Sequence, residues 1–193
     1  MARPAVMLRQ ASRLVAFETQ VPQGVRLSAE LIWSCDGWLE LSYGILMPSS
    51  EGINDLVLPS GVADGEQSTG QRRDHLWEST CCEAFLALPG EQAYWEINLS
   101  PNGDWAIYHF DRYRDGQRNQ DLDSPPEIHL KRRHHQLRLD ARLPLASWWP
   151  TRLCPDLALT AVLETQSMGL SHWALRHDQD KADFHRRSTF LKP

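Results

Sequence analysis

No apolar run in this chain approaches the roughly 20 residues that a membrane-spanning helix needs. Cysteine is scarce. The four, Cys35, Cys81, Cys82 and Cys154, form no C-x-x-C pair, which argues against a zinc site built from thiolates. Small apolar filler is their expected role, and on a strand the adjacent Cys81 and Cys82 would point to opposite faces. There is no G-x-S-x-G elbow, no H-E-x-x-H helix and no Gly-rich phosphate loop. No residue is therefore assigned a catalytic role. Net positive charge is absent too. Lys and Arg total 20 against 25 Asp and Glu, so there is no global pull toward nucleic acid or an anionic membrane, and neither is an expected partner. The basic runs Lys131-Arg132-Arg133 and Arg186-Arg187 are short and read as solvated strand ends. Near the amino terminus, Arg9, Gln10 and Arg13 interrupt an apolar run already too short for a signal-peptide core. The expected location is the cytoplasm, with reduced thiols.

What the chain does contain is a 41% hydrophobic complement over 193 residues, with eight Trp. That suits one domain spanning residues 1–193. Short alternating runs dominate it. Val25, Leu27, Ala29, Leu31 and Trp33 recur at period two, as do Leu39, Leu41 and Tyr43. Ser34-Cys35-Asp36-Gly37 between them is a hairpin signal. Residues 47–75 break the regularity, with Pro48, Gly52, Pro59-Ser60-Gly61 and Asp64-Gly65-Glu66. They read as a long loop in which only Asp55–Leu58 suits a strand. Residues 81–88, 93–99 and 104–110 form a three-strand meander, and 128–133 with 136–143 a further hairpin. Pro144–Pro150 is the one expected helical turn. Leu157–Glu164, Ser171–Arg176 and Phe184–Leu191 supply the last strands. The expected fold is all-β: an antiparallel β-sandwich, jelly-roll or immunoglobulin-like, with about ten strands and one short helical turn. No helices fall at βαβ spacing, which excludes a nucleotide-binding α/β fold.

The strand at 94–99 carries the chemistry. Trp95, Ile97 and Leu99 share one face and want the core. Tyr94, Glu96 and Asn98 share the other, an aromatic, a carboxylate and an amide in a row. An antiparallel return places Glu83 beside Glu96 or Asn98. Carboxylates and amides accept and donate in fixed planes, which suits adjacent hydroxyls of a polyol. Trp77, six residues before Glu83, is placed to stack on the apolar face of a sugar. As a glycosidase acid pair, Glu83 and Glu96 would need a suitable carboxyl separation and one raised pKa. A second cluster holds His172, Trp173, His177, Asp178, Asp180, Lys181, Asp183 and His185. Its spacing fits no helical zinc motif, and Asp178-Gln179-Asp180 lacks the Gly and distal Glu of a calcium loop. It reads as a polar loop beside a pocket, and no metal is expected.

Two blocks, Trp77-x-x-Thr80-Cys81-x-Glu83-x-Phe85 and Asn98-x-Ser100-Pro101-x-Gly103-x-Trp105, extend into Phe110-Asp111-Arg112-Tyr113-Arg114. With Trp173-Ala174-Leu175-Arg176-His177 and Lys181-Ala182-Asp183-Phe184-His185, they resemble the bacterial DOMON-like proteins, relatives of family 9 carbohydrate-binding modules. The resemblance spans most of residues 25–190. It implies a β-sandwich with a ligand pocket at one side, binding a mono- or disaccharide or a cell-wall sugar without catalysis. By that resemblance Trp77 and Trp173 clamp the sugar ring, and Glu83, Glu96 and Asn98 hold its hydroxyls. His75, His177, Asp183 and His185 are further pocket residues. Leu170, Cys82 and Ala182 depart from the family pattern, which bears on sugar specificity more than on fold. No cofactor is required. The wider group includes haem binders, for which Met168 and His172 are the candidate axial ligands. A haem or metal module, or an interaction domain with no small ligand, are the alternatives.

Overall fold

The computed structural model describes residues 4–61, 67–68, 70–150 and 152–193. In chain order the strands are β1 (Val6–Ala16), β2 (Arg26–Ser34), β3 (Trp38–Leu46), β4 (Gln67–Ser68), β5 (Cys81–Ala87) and β6 (Tyr94–Leu99). They continue as β7 (Trp105–Phe110), β8 (Arg118–Asn119), β9 (Glu127–Arg133), β10 (Gln136–Pro144), β11 (Asp156–Thr165) and β12 (Gly169–Ala174). All but the two-residue β4 and β8 have six residues or more, so ten strands carry the described fold. They lie side by side in the order β4-β9-β10-β3-β2-β1-β12-β11-β5-β6-β7-β8, every pair antiparallel.

One strand turns this single curled sheet into two layers. Residues of β1 up to Leu14 pair with β2, while Val15 and Ala16 pair with β12. The strand thus belongs to both halves, and the sheet folds over on itself. Between the halves, period-two alternation delivers the core. Leu27, Ala29, Leu31 and Trp33 come from β2, and Leu39, Leu41, Tyr43 and Ile45 from β3. The second layer answers with Cys82, Ala84 and Leu86 of β5 and with Trp95, Ile97 and Leu99 of β6.

The second layer is buried on its other face as well. Every residue of β5, β6 and β7 is buried. Phe85, Ala87, Tyr94, Tyr108, Phe110 and Ala158 form a separate apolar cluster on the outer face, with Phe190, Trp77 and Phe184 packed on it. The cover comes from the short turn Leu76–Glu78 and from the carboxyl-terminal segment. Leu157 and Leu191 exchange backbone hydrogen bonds at 2.9 and 2.7 Å, and an Arg187–Asp156 ion pair at 3.1 Å ties the segment down beside them.

The β2–β3 hairpin, the β5–β6–β7 meander and the β9–β10 hairpin stand where the sequence places them. Other expectations need correction. β1 was not expected, because Gln10 and Ser12 interrupt its apolar face and only Leu14 is fully buried. The loop holds an α-helix, α1 (Ser50–Asp55), whose first turn is capped by Ser49 accepting from the Gly52 N–H. Asp55–Leu58 makes only a bridge from Leu56 to Thr165. Pro144–Pro150 does hold the expected turn, with the Trp148 and Trp149 N–H groups donating to the Leu145 carbonyl at 3.2 and 2.8 Å. Phe184–Leu191 is not a strand but carries a 3-10 turn at Arg187–Thr189. The Asp64-Gly65-Glu66 turn lies outside the described residues.

Ile97 is fully buried between the layers, one residue from Glu96. Ile97→Ala is expected to lower stability by about 2–5 kcal/mol, read from the urea midpoint at constant slope. A loss below about 1 kcal/mol would mean that the layers do not clamp this strand.

Candidate functional site

The outer cover of the second layer is incomplete, and the gap is a cleft of about 310 Å³, at the small end of ligand pockets. Its floor is the sheet. Antiparallel pairing sets Glu83 of β5 opposite Asn98 of β6 and Thr160 of β11, and sets Phe85 opposite Glu96. Glu83 and Glu96 both face the cleft, yet they are only 2% and 6% exposed. The Glu96 carboxylate accepts a hydrogen bond from the Asn98 amide at 2.8 Å. One Glu83 oxygen accepts from the Thr160 hydroxyl at 3.3 Å, while the other, Oε1, is buried with no hydrogen-bond partner. Tyr43, reaching across from the first layer, donates to the Glu83 carbonyl at 2.5 Å and so fixes the backbone beneath the carboxylate.

The walls come from outside the sheet. Trp77 stands on the turn before β5, packed edge-on to Tyr108 at 6.1 Å between ring centroids. Ala182, Phe184 and His185 come from the carboxyl-terminal segment, and Arg114 and Gln117 from the β7–β8 loop. From the sheet itself, Phe85, Phe110, Val162 and His172 complete the lining. His172 is fastened twice to Glu18, with Nδ1 at 2.6 Å and its backbone N–H at 2.8 Å from the carboxylate.

Hydrogen bonds through Tyr94 tie His185 to the loop after β7. The Arg114 backbone N–H donates to the Tyr94 hydroxyl oxygen at 3.1 Å. That hydroxyl shares a second hydrogen bond with His185 Nδ1, 2.7 Å away. The other ring nitrogen, Nε2, faces the Glu96 carboxyl at 3.6 Å. The Arg114 guanidinium is held by Asp183 at 3.0 Å, and the Tyr113 hydroxyl donates to the same carboxylate at 2.6 Å. Asp183 thus positions Arg114 rather than lining the cleft.

Burial shapes the electrostatics. Desolvation, with the Glu96 carboxylate as a like-charged neighbour, pushes the Glu83 pKa well up. Glu96 rises to about 7, chiefly by desolvation, with the Asn98 hydrogen bond and Arg114 opposing. His185 falls to about 4, because burial and the nearby Arg114 both disfavour its cation. A neutral imidazole thus sits over two carboxyl groups that resist ionisation together.

Of the residues singled out from sequence, the structure gathers Trp77, Glu83, Glu96 and His185 in the cleft lining, with Asn98 beneath them. Trp173 does not join them. It is buried in the core between the layers, its indole N–H bonded to Ser171 at 2.9 Å, because period two gives the outer face of β12 to His172. The expectation of a second stacking Trp is corrected accordingly, and Phe184 supplies the apolar wall on the cover side. His75 is exposed and packs on Trp77 at 5.1 Å. His177 lies outside the lining, bonded to the Val15 carbonyl at 3.0 Å and edge-on to Phe17. Met168 is exposed at the β11–β12 turn, so it does not oppose His172 across the cleft. Among the described residues no group of three or more His, Cys, Asp and Glu is arranged to hold a metal ion. Arg114, Gln117 and Phe110 were not anticipated as site residues. Arg114 has positive φ, but that is invisible in the sequence.

The sequence matches no family profile, and it matches no curated protein. Two solved structures are similar to it. The first is a protein from Bacteroides uniformis ATCC 8492 proposed to bind carbohydrate, at 12% identity and a TM-score of 0.64, covering 94% of this chain and 84% of that one. The second is a family 9 carbohydrate-binding module from Caldicellulosiruptor kristjanssonii in complex with glucose. It has 14% identity and a TM-score of 0.49, covering 89% of this chain and 76% of that one. At these identities the first likeness establishes the fold, a curled antiparallel two-layer sheet, and the residues in the cleft are this chain's own.

Proposed function

We propose that the cleft on the outer face of the second layer binds a mono- or disaccharide and does not transform it. One observation carries the reading. A pair of buried carboxyl groups, one with an oxygen that has no hydrogen-bond partner, floors a small cleft lined by Trp77, Phe110 and Phe184. Sugars present this mixture of surfaces: an apolar ring face for an aromatic wall, and hydroxyls that donate in fixed directions. The volume suits one ring. The fold shared with a protein proposed to bind carbohydrate supports the same reading.

Geometry also supports binding over hydrolysis. Glycosidase carboxyl groups flank the scissile bond from two sides. Glu83 and Glu96 sit on neighbouring strands of one floor, so both would meet a ligand from below. Affinity should be modest. About 12 heavy atoms at about −0.3 kcal/mol each give roughly −3.6 kcal/mol, a millimolar dissociation constant.

Intrinsic fluorescence titrated with a panel of mono- and disaccharides tests this. Trp77 is the one tryptophan in the cleft lining, so a saturable signal is expected at millimolar sugar and should vanish in Trp77→Ala. A flat response across the panel, confirmed by calorimetry, would overturn the reading. Because Trp77 is only partly buried at the rim, the same substitution should cost about 1–2 kcal/mol of stability or less.

The floor should also leave a mark on stability. The folded protein retains protons on Glu83 and Glu96 at pH values where the unfolded chain has lost them. The folded state therefore binds more protons, and this pair's contribution falls as pH rises from the unfolded carboxylate pKa, about 4.5, with the Glu96 share lost through its folded value of about 7. His185 acts oppositely below its ordinary 6.5, since it stays neutral in the folded state down to about 4. Above about pH 6.5 the carboxyl pair acts without that offset. Glu83→Gln/Glu96→Gln should gain stability relative to the parent as pH rises toward about 8, by up to about 1.4 kcal/mol per pH unit per carboxyl removed. Parallel urea midpoints for the two proteins across that range would overturn this.

A further inference from the structure

We propose that the cleft floor selects a ligand bearing a protonated amine, so that among sugars this site takes an amino sugar in preference to a neutral one. The inference rests on the sugar-binding reading and adds the chemical class of the ligand.

It begins with a charge count around the floor. Glu83 and Glu96 bring two carboxyl groups to adjacent strands. The charged groups that could balance them are already engaged. The Arg114 guanidinium, at the rim, is held by Asp183 at 3.0 Å. His172 on β12 faces Glu18 at 2.6 Å. His185 faces Glu96 at 3.6 Å but is 12% exposed beside Arg114, and burial with that neighbour lowers its pKa to about 4, so it is neutral near neutral pH. Below and beside Glu83 lie Cys81, Cys82, Tyr43 and Thr160, none of them cationic. On the β7 side, Tyr108 donates to Asp74 at 2.6 Å and brings no positive charge either. The floor thus holds two acids, and the cation that acts on Glu96, Arg114, is shared with the Asp183 carboxylate.

The second, independent observation is the geometry of Glu83. Its side chain lines the cleft, yet Oε1 has no hydrogen-bond partner, while Oε2 takes Thr160. A buried carboxyl oxygen without a partner is unfavourable, and more so when the group is ionised. A sugar hydroxyl would fill it. An ammonium group would fill it and also supply the missing charge, with the shorter, stronger hydrogen bonds of an ion pair. Three N–H donors at one atom suit two carboxylates on neighbouring strands better than a single O–H does.

Proton accounting separates the two ligands. In the free cleft the two acids retain protons near neutral pH, because burial and mutual repulsion oppose their joint ionisation. An ammonium ion seated between them favours both anions, so binding displaces a proton into solution. A neutral sugar has no such effect. Affinity for the amine should therefore climb as pH rises toward about 7, and affinity for the neutral sugar should stay level.

Isothermal calorimetry on the full chain tests this, with glucose, N-acetylglucosamine, 2-amino-2-deoxyglucose and 6-amino-6-deoxyglucose as probes. Each is run in two buffers of different ionisation heat. At least one of the amines is expected to bind about tenfold or more tightly than glucose, releasing up to about one proton per ligand near neutral pH. Glu83→Gln should shrink that ratio toward one. The comparison among sugars on the unsubstituted protein decides the matter even if the variant folds poorly. Glucose or N-acetylglucosamine binding as well as both amines would overturn the amine preference and leave the sugar-binding reading standing. Silence from all four, with none from other sugars in the fluorescence panel, would end both.

Discussion

The second layer has two apolar faces and therefore needs two covers. On one side the first layer supplies a full cover, since β1 carries the hydrogen-bonding of one half into the other and folds the sheet over. On the other side there is no third sheet. A short turn at residues 76–78 and the segment after β12 do the work with aromatic side chains, Trp77, Phe184 and Phe190. Loose segments cover a flat sheet less completely than another sheet does. The uncovered area is the cleft, and its floor inherits the burial of a core position together with an opening to ligand. That is why two carboxylates can sit there nearly inaccessible and still line a pocket.

Much of this can be read in the sequence where a side chain's direction follows from strand period alone. Tyr94, Glu96 and Asn98 alternate with Trp95, Ile97 and Leu99, and both rows face as expected. The pairing of Glu83 with Asn98 follows from the short turn between their strands. Period two also explains the misplacement of Trp173. The motif resemblance drew attention to the ring, while alternation on β12 assigns the outward direction to its neighbour His172. β1 escaped notice because a strand at a corner is half-exposed on each layer and has no steady apolar row. The helix at Ser50–Asp55 was signalled only by its Ser49 cap, inside a stretch rich in Pro and Gly. The cleft walls were the least accessible. Arg114 and Phe184 approach through long-range packing of irregular segments, which have no period to read.

The walls and floor also differ in how they are held. Below, the sheet ladder and Tyr43 fix the carboxyl backbone. Above, a chain of polar contacts runs from the Arg114 backbone through Tyr94 to His185, with Asp183 binding both the Arg114 guanidinium and the His185 backbone N–H. The loop after β7 and the carboxyl-terminal segment are therefore joined to each other across the top of β6. A change at Asp183 would reach the site through this linkage without touching a ligand.

Cys81 and Cys82 are adjacent on β5 and point to opposite faces, Cys82 into the core between the layers and Cys81 toward the cleft side. Both thiols are fully enclosed, and burial raises their pKa, so neither is a ready nucleophile in the folded state. The chain consequently carries a matched pair of chemical reporters, one for each cover of the same strand. In a denaturation experiment with a thiol-alkylating reagent, Cys81 modified ahead of Cys82 would mean that the aromatic lid detaches while the sandwich is still closed. Equal rates would mean that both covers leave in one cooperative event.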